Sequence, residues 1–191
     1  MGDQARGQAQ GRLILVKHGR PQIAPDQPRS HWALSPEGRI DARSLARKLG
    51  PLAPDRLACS PEPKARDTAL AMGLELGLTP IEDAGFREQE ADHNPFVAQE
   101  VFEAQVARMF ARPGELVMGE ETGDAAQARF GAALGRLEAA TTPIIVAHGR
   151  VITLWLSRRL GFEPMPFWKR LGLGTAAVID IAGGEVDFVD P

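Results

Sequence analysis

An apolar run that stops twice at the same two residues constrains this chain more than any other feature. Leu13 to Arg20 reads Leu-Ile-Leu-Val-Lys-His-Gly-Arg, and Pro143 to Arg150 reads Pro-Ile-Ile-Val-Ala-His-Gly-Arg. Short branched aliphatic runs of this kind, bounded by glycine, suit strands buried in a parallel sheet. The glycine lets backbone come close to a ligand. In open α/β sheets ligands gather outside the carboxyl ends of the strands. Two of the four histidines, His18 and His148, stand at such ends. If the two strands are neighbours, imidazoles 130 positions apart meet at one edge.

The rest of the chain supplies the helices such a sheet needs. Pro21 to Trp32, with three prolines, reads as a long surface loop. Ser35-Pro36-Glu37 is a helix start, with Ala42, Leu45, Ala46 and Leu49 on one face and a stop at Gly50-Pro51. Arg56 to Ser60 is a second strand, and Pro61 to Pro63 opens a helix with Ala65, Ala69, Met72 and Leu76 in phase until Gly77. Pro80 to Asp83 is a weak third strand, and Gly85 to Asn94 a charged loop. Helices are expected over Phe96 to Ala111, Asp124 to Thr141 and Val151 to Leu160. Thr175 to Ile181 and Glu185 to Val189 alternate as strands around Ala182-Gly183-Gly184, a hairpin signal. The expected fold is a three-layer α/β/α sandwich: a mostly parallel sheet closed by an antiparallel C-terminal hairpin. It occupies residues 12–191 as one domain, and Met1 to Gly11, polar and without an apolar core, reads as a flexible tail.

Composition narrows the partners. A formal net charge of −3, with 25% charged residues, provides no basic surplus for nucleic acid or an anionic membrane. Affinity for a phosphorylated ligand must therefore come from a local cluster. The single cysteine, Cys59, excludes an internal disulfide and suits a reducing, cytoplasmic compartment; within a strand it reads as a small buried hydrophobe. Oligomeric state is left open, a dimer included.

Several charged residues cluster near the strand ends: Lys17 before the first His-Gly, Lys64 and Arg66 after the second strand, Glu88 after the third, and Arg150 after the second His-Gly. In order, these pieces resemble the histidine phosphatase superfamily in its phosphoglycerate-mutase-like branch. Lys17-His18-Gly19 stands where that family has Arg-His-Gly, and Leu34-Ser35-Pro36-Glu37-Gly38 looks like its Leu-Thr-x-x-Gly. Cys59-Ser60-Pro61-Glu62-Pro63-Lys64-Ala65-Arg66-Asp67-Thr68-Ala69 matches Ser-Ser-Pro-Leu-x-Arg-Ala-x-x-Thr-Ala. Phe86-Arg87-Glu88 corresponds to Leu-x-Glu, and Ala147-His148-Gly149-Arg150 to Ser-His-Gly-Gly.

The resemblance implies a phosphomonoester hydrolase acting on a small phosphorylated molecule without metal or other cofactor. His18 would attack the phosphoryl group and form a phosphohistidine, His148 and the basic positions Lys17 and Lys64 would surround the phosphoryl oxygens, and Glu88 would serve the leaving oxygen and then the water. Glu90 and Asp92 are rivals of Glu88 for that role. The departure is that both motif arginines are lysines: the charge is kept and the planar bidentate fork is lost. A weak or inactive phosphoester-binding regulatory protein is therefore the alternative, unless Arg20, Arg66 or Arg150 brings a guanidinium from elsewhere. Lys64 and Arg66, two apart on a helix, cannot share a face, so at most one points into the pocket; the resemblance selects Lys64 and leaves Arg66 at the surface. His31 and His93 read as solvated loop residues within reach of a substrate, Trp155 as core, and Phe167-Trp168 as packing in preference to the alternative, pocket lining. Nothing in the sequence identifies the substrate.

Overall fold

In the first strand, β1 (Arg12–Lys17), alternate side chains serve two different cores, and this alternation sets the layers. Ile14 and Val16 of β1 join Leu57 and Cys59 of β2 (Arg56–Cys59) and Ile144 and Val146 of β4 (Pro143–Ala147) against one pair of helices. That pair is α1 (Pro36–Leu49) and α2 (Pro63–Leu76), which contribute Ala42, Leu45, Leu49, Ala65, Ala69 and Met72. Leu13, Leu15, Ala58, Ile145 and Ala147 face the other way. They meet α3 (Gln99–Ala111), α4 (Gly123–Gly135), α5 (Gly149–Leu160) and α6 (Pro164–Arg170) through residues such as Met109, Phe130, Ile152 and Phe167. The computed structural model describes residues 11–95, 97–137 and 140–191. The expected tail before Gly11 and the expected first residue of the third helix, Phe96, lie outside them.

The six-stranded sheet has the order β3-β2-β4-β1-β5-β6, where β3 is Ile81–Glu82, β5 Ala176–Asp180 and β6 Val186–Val189. The β1–β4, β2–β4 and β2–β3 pairs are parallel, while β1–β5 and β5–β6 are antiparallel. The three-layer α/β/α fold with a C-terminal antiparallel pair is therefore observed. Among the described residues, no helix is long and apolar enough to cross a membrane.

Local signals act where the sequence places them. The Ser35 hydroxyl accepts from the Gly38 N–H at 3.0 Å, and Gly77 and Gly161 end α2 and α5 at φ of 68° and 75°. One helix is shorter than its alanine-rich pattern suggests. α4 ends at Gly135, because Thr141 and Thr142 are held outside it by the Asp55 carboxylate, which accepts both backbone N–H groups and the Thr141 hydroxyl.

Candidate active site

The parallel register that pairs Lys17 with Ala147 places the next residue of each strand, His18 and His148, side by side. The His18 N–H donates to the Ala147 carbonyl at 3.0 Å, locking the two ends together. Both rings are buried, with centroids 5.1 Å apart and planes at 60°, edge to face. That spacing leaves no room for an anion between the rings, so one would lie alongside them. His18 Nδ1 is 2.8 Å from the Gly19 carbonyl oxygen, which can only accept. The ring proton therefore sits on Nδ1, and Nε2 keeps its lone pair. Burial, helped by His148 and the Lys64 ammonium, holds His18 well below the ordinary imidazole pKa, so the ring is neutral at neutral pH. Burial does the same to His148. Neither of that ring's nitrogens has a hydrogen-bond partner among the described residues, although Nε2 lies 3.4 Å from Glu62 Oε1.

Both lysines of the motif reach this edge. Lys17 Nζ donates to the Leu171 carbonyl at 3.0 Å and lies 6.0 Å from the centre of the Trp168 ring; burial lowers its pKa. Glycine at 149 makes the room: a Cβ there would be 3.3 Å from Lys17 Cε and 3.3 Å from Trp168 Nε1. Lys64, in the first turn of α2, points inward, and Arg66 is half-exposed against Asp67; the two do not share a face, and the inward one is the lysine that the resemblance selects. Lys64 Nζ donates to the Arg29 carbonyl at 2.8 Å and to Glu62 Oε2 at 2.6 Å. Glu62 is buried, and its Oε1 accepts from the Glu88 N–H at 2.8 Å. Reading the motif missed this acid. The signal was present, since Glu62 stands where the family pattern has leucine.

Of the three candidate acids, Glu88 is the one set beside His148. Its Oε1 accepts from the Gln89 and Val151 N–H groups, both at 2.9 Å, and Oε2 from the Arg150 N–H at 3.1 Å. It therefore caps the N-terminus of α5, where peptide dipoles favour a negative charge. Burial pushes this carboxyl up, but Arg150, His148 and the backbone donors outweigh it and hold the pKa below the ordinary range. Arg129 fixes the loop beneath by donating to the Gly85, Arg87 and Glu88 carbonyls while paired with Glu121. Glu90 is exposed and paired with Arg87, whereas Asp92 accepts from the Ser30 N–H and hydroxyl, tying its loop to the 21–35 loop.

These residues line a cavity of about 940 Å³ that continues past Trp32, Phe102, Met118 and Trp168. Both readings of the aromatic pair hold: Phe167 is buried in the core, and Trp168 packs against that core while also forming cavity wall. Arg20 lies at the mouth, and Arg66 does not line the cavity. Arg150 does, but its guanidinium is held by Glu88 Oε2 at 3.4 Å and the Gln89 carbonyl at 3.0 Å. Arg29 and Arg150 both approach the Phe102 ring, at 4.7 and 6.0 Å from its centre. His31 is exposed at the rim, and His93 is exposed beside Glu120. Trp155 is only half-buried, packed against the core through Phe130, and Cys59 is fully buried with its thiol pKa pushed up to about 12. Among the described residues, no group of three or more His, Cys, Asp or Glu side chains is placed to hold a metal ion.

Residues 13–189 match the model of the histidine phosphatase superfamily (branch 1). The chain belongs to that superfamily. Solved structures with the same fold include a mycobacterial glucosyl-3-phosphoglycerate phosphatase, at 21% identity and a TM-score of 0.69 over 94% of this chain and 97% of that one. The alpha-ribazole phosphatase from Shigella flexneri gives 21% and 0.69 over 94% and 95%. A phosphoserine phosphatase from Entamoeba histolytica, solved as a mutant with phosphoserine, gives 18% and 0.69 over the same shares. No curated protein matches this sequence. Membership of the superfamily makes the neutral imidazole with its free Nε2 the feature from which a function must be built.

Proposed function

We propose that the chain is a phosphomonoester hydrolase in which His18 carries the phosphoryl group in transit. The observation that carries the reading is the tautomer of His18, whose Nδ1–H is committed to Gly19 and whose Nε2 remains nucleophilic in a cavity edged with ammonium groups. A bond forms from Nε2 to phosphorus as the ester P–O bond breaks, and the leaving oxygen takes a proton. Water then attacks phosphorus, the P–N bond breaks, and inorganic phosphate leaves. Two displacements replace one difficult one. Lys17, Lys64 and His148 bear the phosphoryl charge through both. Glu88 is ionised in the free protein at neutral pH. As donor it takes up a proton only once the phosphoryl anion, a like charge, is beside it. A phosphomonoester, with its second pKa near 6, arrives partly protonated and can supply that proton. The ligand class is a small phosphorylated molecule, with no call on nucleic acid or membrane; the lone, buried cysteine supports a cytoplasmic setting.

One observation favours the second reading, a phosphoester-binding protein with little turnover: the Lys64 ammonium is already paired with Glu62. Steady-state hydrolysis of 4-nitrophenyl phosphate from pH 5 to 8, beside His18→Ala, separates the two. Turnover abolished by the substitution is the expected result. No turnover by the unaltered protein, together with saturable phosphate binding, establishes the binder.

A further inference from the structure

Glu62 is a buried carboxylate in the cavity that the proposed reaction does not use. Its carboxylate takes the Lys64 ammonium on Oε2 at 2.6 Å and the Glu88 N–H on Oε1 at 2.8 Å, and Oε1 lies 3.4 Å from His148 Nε2. These are a cation, a backbone donor and an imidazole nitrogen, the kinds of group that phosphoryl oxygens seek. His148 Nε2 is buried, has no hydrogen-bond partner among the described residues, and faces that same carboxylate. The Lys64–Glu62 pair is itself buried, with side chains 7% and 8% exposed, so bulk water does little to weaken the attraction.

From this arrangement we infer that Glu62 is the resident anion of the phosphoryl site: a tethered carboxylate seated on donors that a phosphoryl group must take, and therefore a determinant of which ligands the site accepts. The inference rests on Lys64 and His148 being phosphoryl contacts, as proposed above. A bare phosphoryl group has to displace an anion that is already in place and held by the chain. Inorganic phosphate and small esters bind weakly for that reason. A favoured substrate is a phosphomonoester whose larger leaving group adds contacts along the Phe102, Met118 and Trp168 wall. Binding energy from those remote contacts drives the exchange of carboxylate for phosphoryl oxygen.

A double-mutant cycle in inorganic phosphate tests it without needing turnover. Dissociation constants for phosphate at pH 7 are measured by calorimetry for the unaltered protein, Glu62→Leu, Lys64→Met and the double variant, with Glu62→Gln as a shape-conserving second choice should the leucine variant fold poorly. The expected result is at least tenfold tighter phosphate binding in Glu62→Leu and in Glu62→Gln. Lys64→Met should cost at least tenfold more in the Glu62→Leu background than in the unaltered one, since only there is the ammonium free for phosphate. Weaker or unchanged binding in both Glu62 variants, or an equal cost of Lys64→Met in both backgrounds, overturns the inference and leaves Glu62 as a support for Lys64. If phosphate binding tightens but no variant hydrolyses 4-nitrophenyl phosphate, the resident anion stands and the hydrolase reading falls. If the unaltered protein hydrolyses the ester and the Glu62 variants bind phosphate no better, the reverse holds.

Discussion

Lys17 and Lys64 bring the same ammonium group to one cavity from two different elements, yet they do not bring the same charge. Lys17 leans on the neutral Leu171 carbonyl, with no carboxylate within 4 Å among the described residues. Lys64 is held between the Arg29 carbonyl and the Glu62 carboxylate, so much of its charge is cancelled locally. A basic residue at a motif position therefore says less than its neighbours do. At one position the field is available to an incoming anion, and at the other it is already engaged.

The difference is broken most directly by removing each charge in turn. Lys17→Met should lower kcat/KM for 4-nitrophenyl phosphate by about 10²–10³, the usual cost of losing an oriented donor at such a site. Lys64→Met should cost about tenfold, because the partner it deserts is Glu62 before it is the phosphoryl group. Equal losses in the two variants would show that the ion pair does not shield Lys64.

The next effect concerns shape. The Lys64 ammonium fits a gap defined by two oxygens, at 2.6 and 2.8 Å, and the Lys17 stem lies against the space left by Gly149. Both niches suit a compact point charge better than a planar fork. Restoring the family's residues with Lys17→Arg and Lys64→Arg together should therefore reduce turnover, by about tenfold. A rise would mean that the lysines only weaken a clamp still cut for guanidinium.

Much of this geometry was legible in the sequence for physical reasons. Two buried strands ending in His-Gly could bring His18 and His148 together only if parallel and adjacent, and helical spacing admitted only one of Lys64 and Arg66 to the pocket, with the family resemblance selecting Lys64. Cys59 followed from its place in a strand, where a lone cysteine reads as a small buried hydrophobe. Glu62 was legible only as a departure from the family's leucine; its inward direction was not, because it lies between Pro61 and Pro63, outside any helix or strand, where no periodicity tells which way a side chain points. The choice between packing and pocket at Trp168 was not legible for a related reason: α6 is seven residues long, and adjacent aromatics on so short a helix face core and cavity alike. The early end of α4 depended on Asp55, more than eighty positions away in sequence. Long-range hydrogen bonds of that kind leave no local pattern.

The two lysines also differ in their hold on the nucleophile, and pH exposes it. Burial contributes most to the low pKa of His18, followed by His148 and Lys64; Lys17 is the weakest contributor. The ring must be neutral to attack, so the acidic limb of the kcat/KM profile follows this group in the free protein. Removing a nearby positive charge raises the His18 pKa, so protonation sets in at higher pH and the limb moves toward neutrality. Lys64→Met should move it further than Lys17→Met, the reverse of their order in rate. Limbs that move equally would mean that the two ammonium groups stand alike toward the ring.

Arg150→Ala gives the smallest effect and marks the limit of the comparison, since it removes a third cation whose charge is likewise engaged. Its guanidinium is committed to Glu88 and the Gln89 carbonyl, and Arg150 leads the influences that hold the Glu88 carboxyl low. Truncation lets that pKa rise. Glu88 then keeps its proton to higher pH, and the leaving oxygen finds its donor protonated over a wider range. The expected change at pH 7 is only a few-fold, because the α5 backbone still caps the carboxylate through the residue 150 and Val151 N–H groups. Phosphate affinity, measured by calorimetry, should be nearly unaltered. A loss of phosphate affinity as large as that in Lys17→Met would instead place the Arg150 guanidinium on the phosphoryl group and make it, not Lys64, the partner of Lys17.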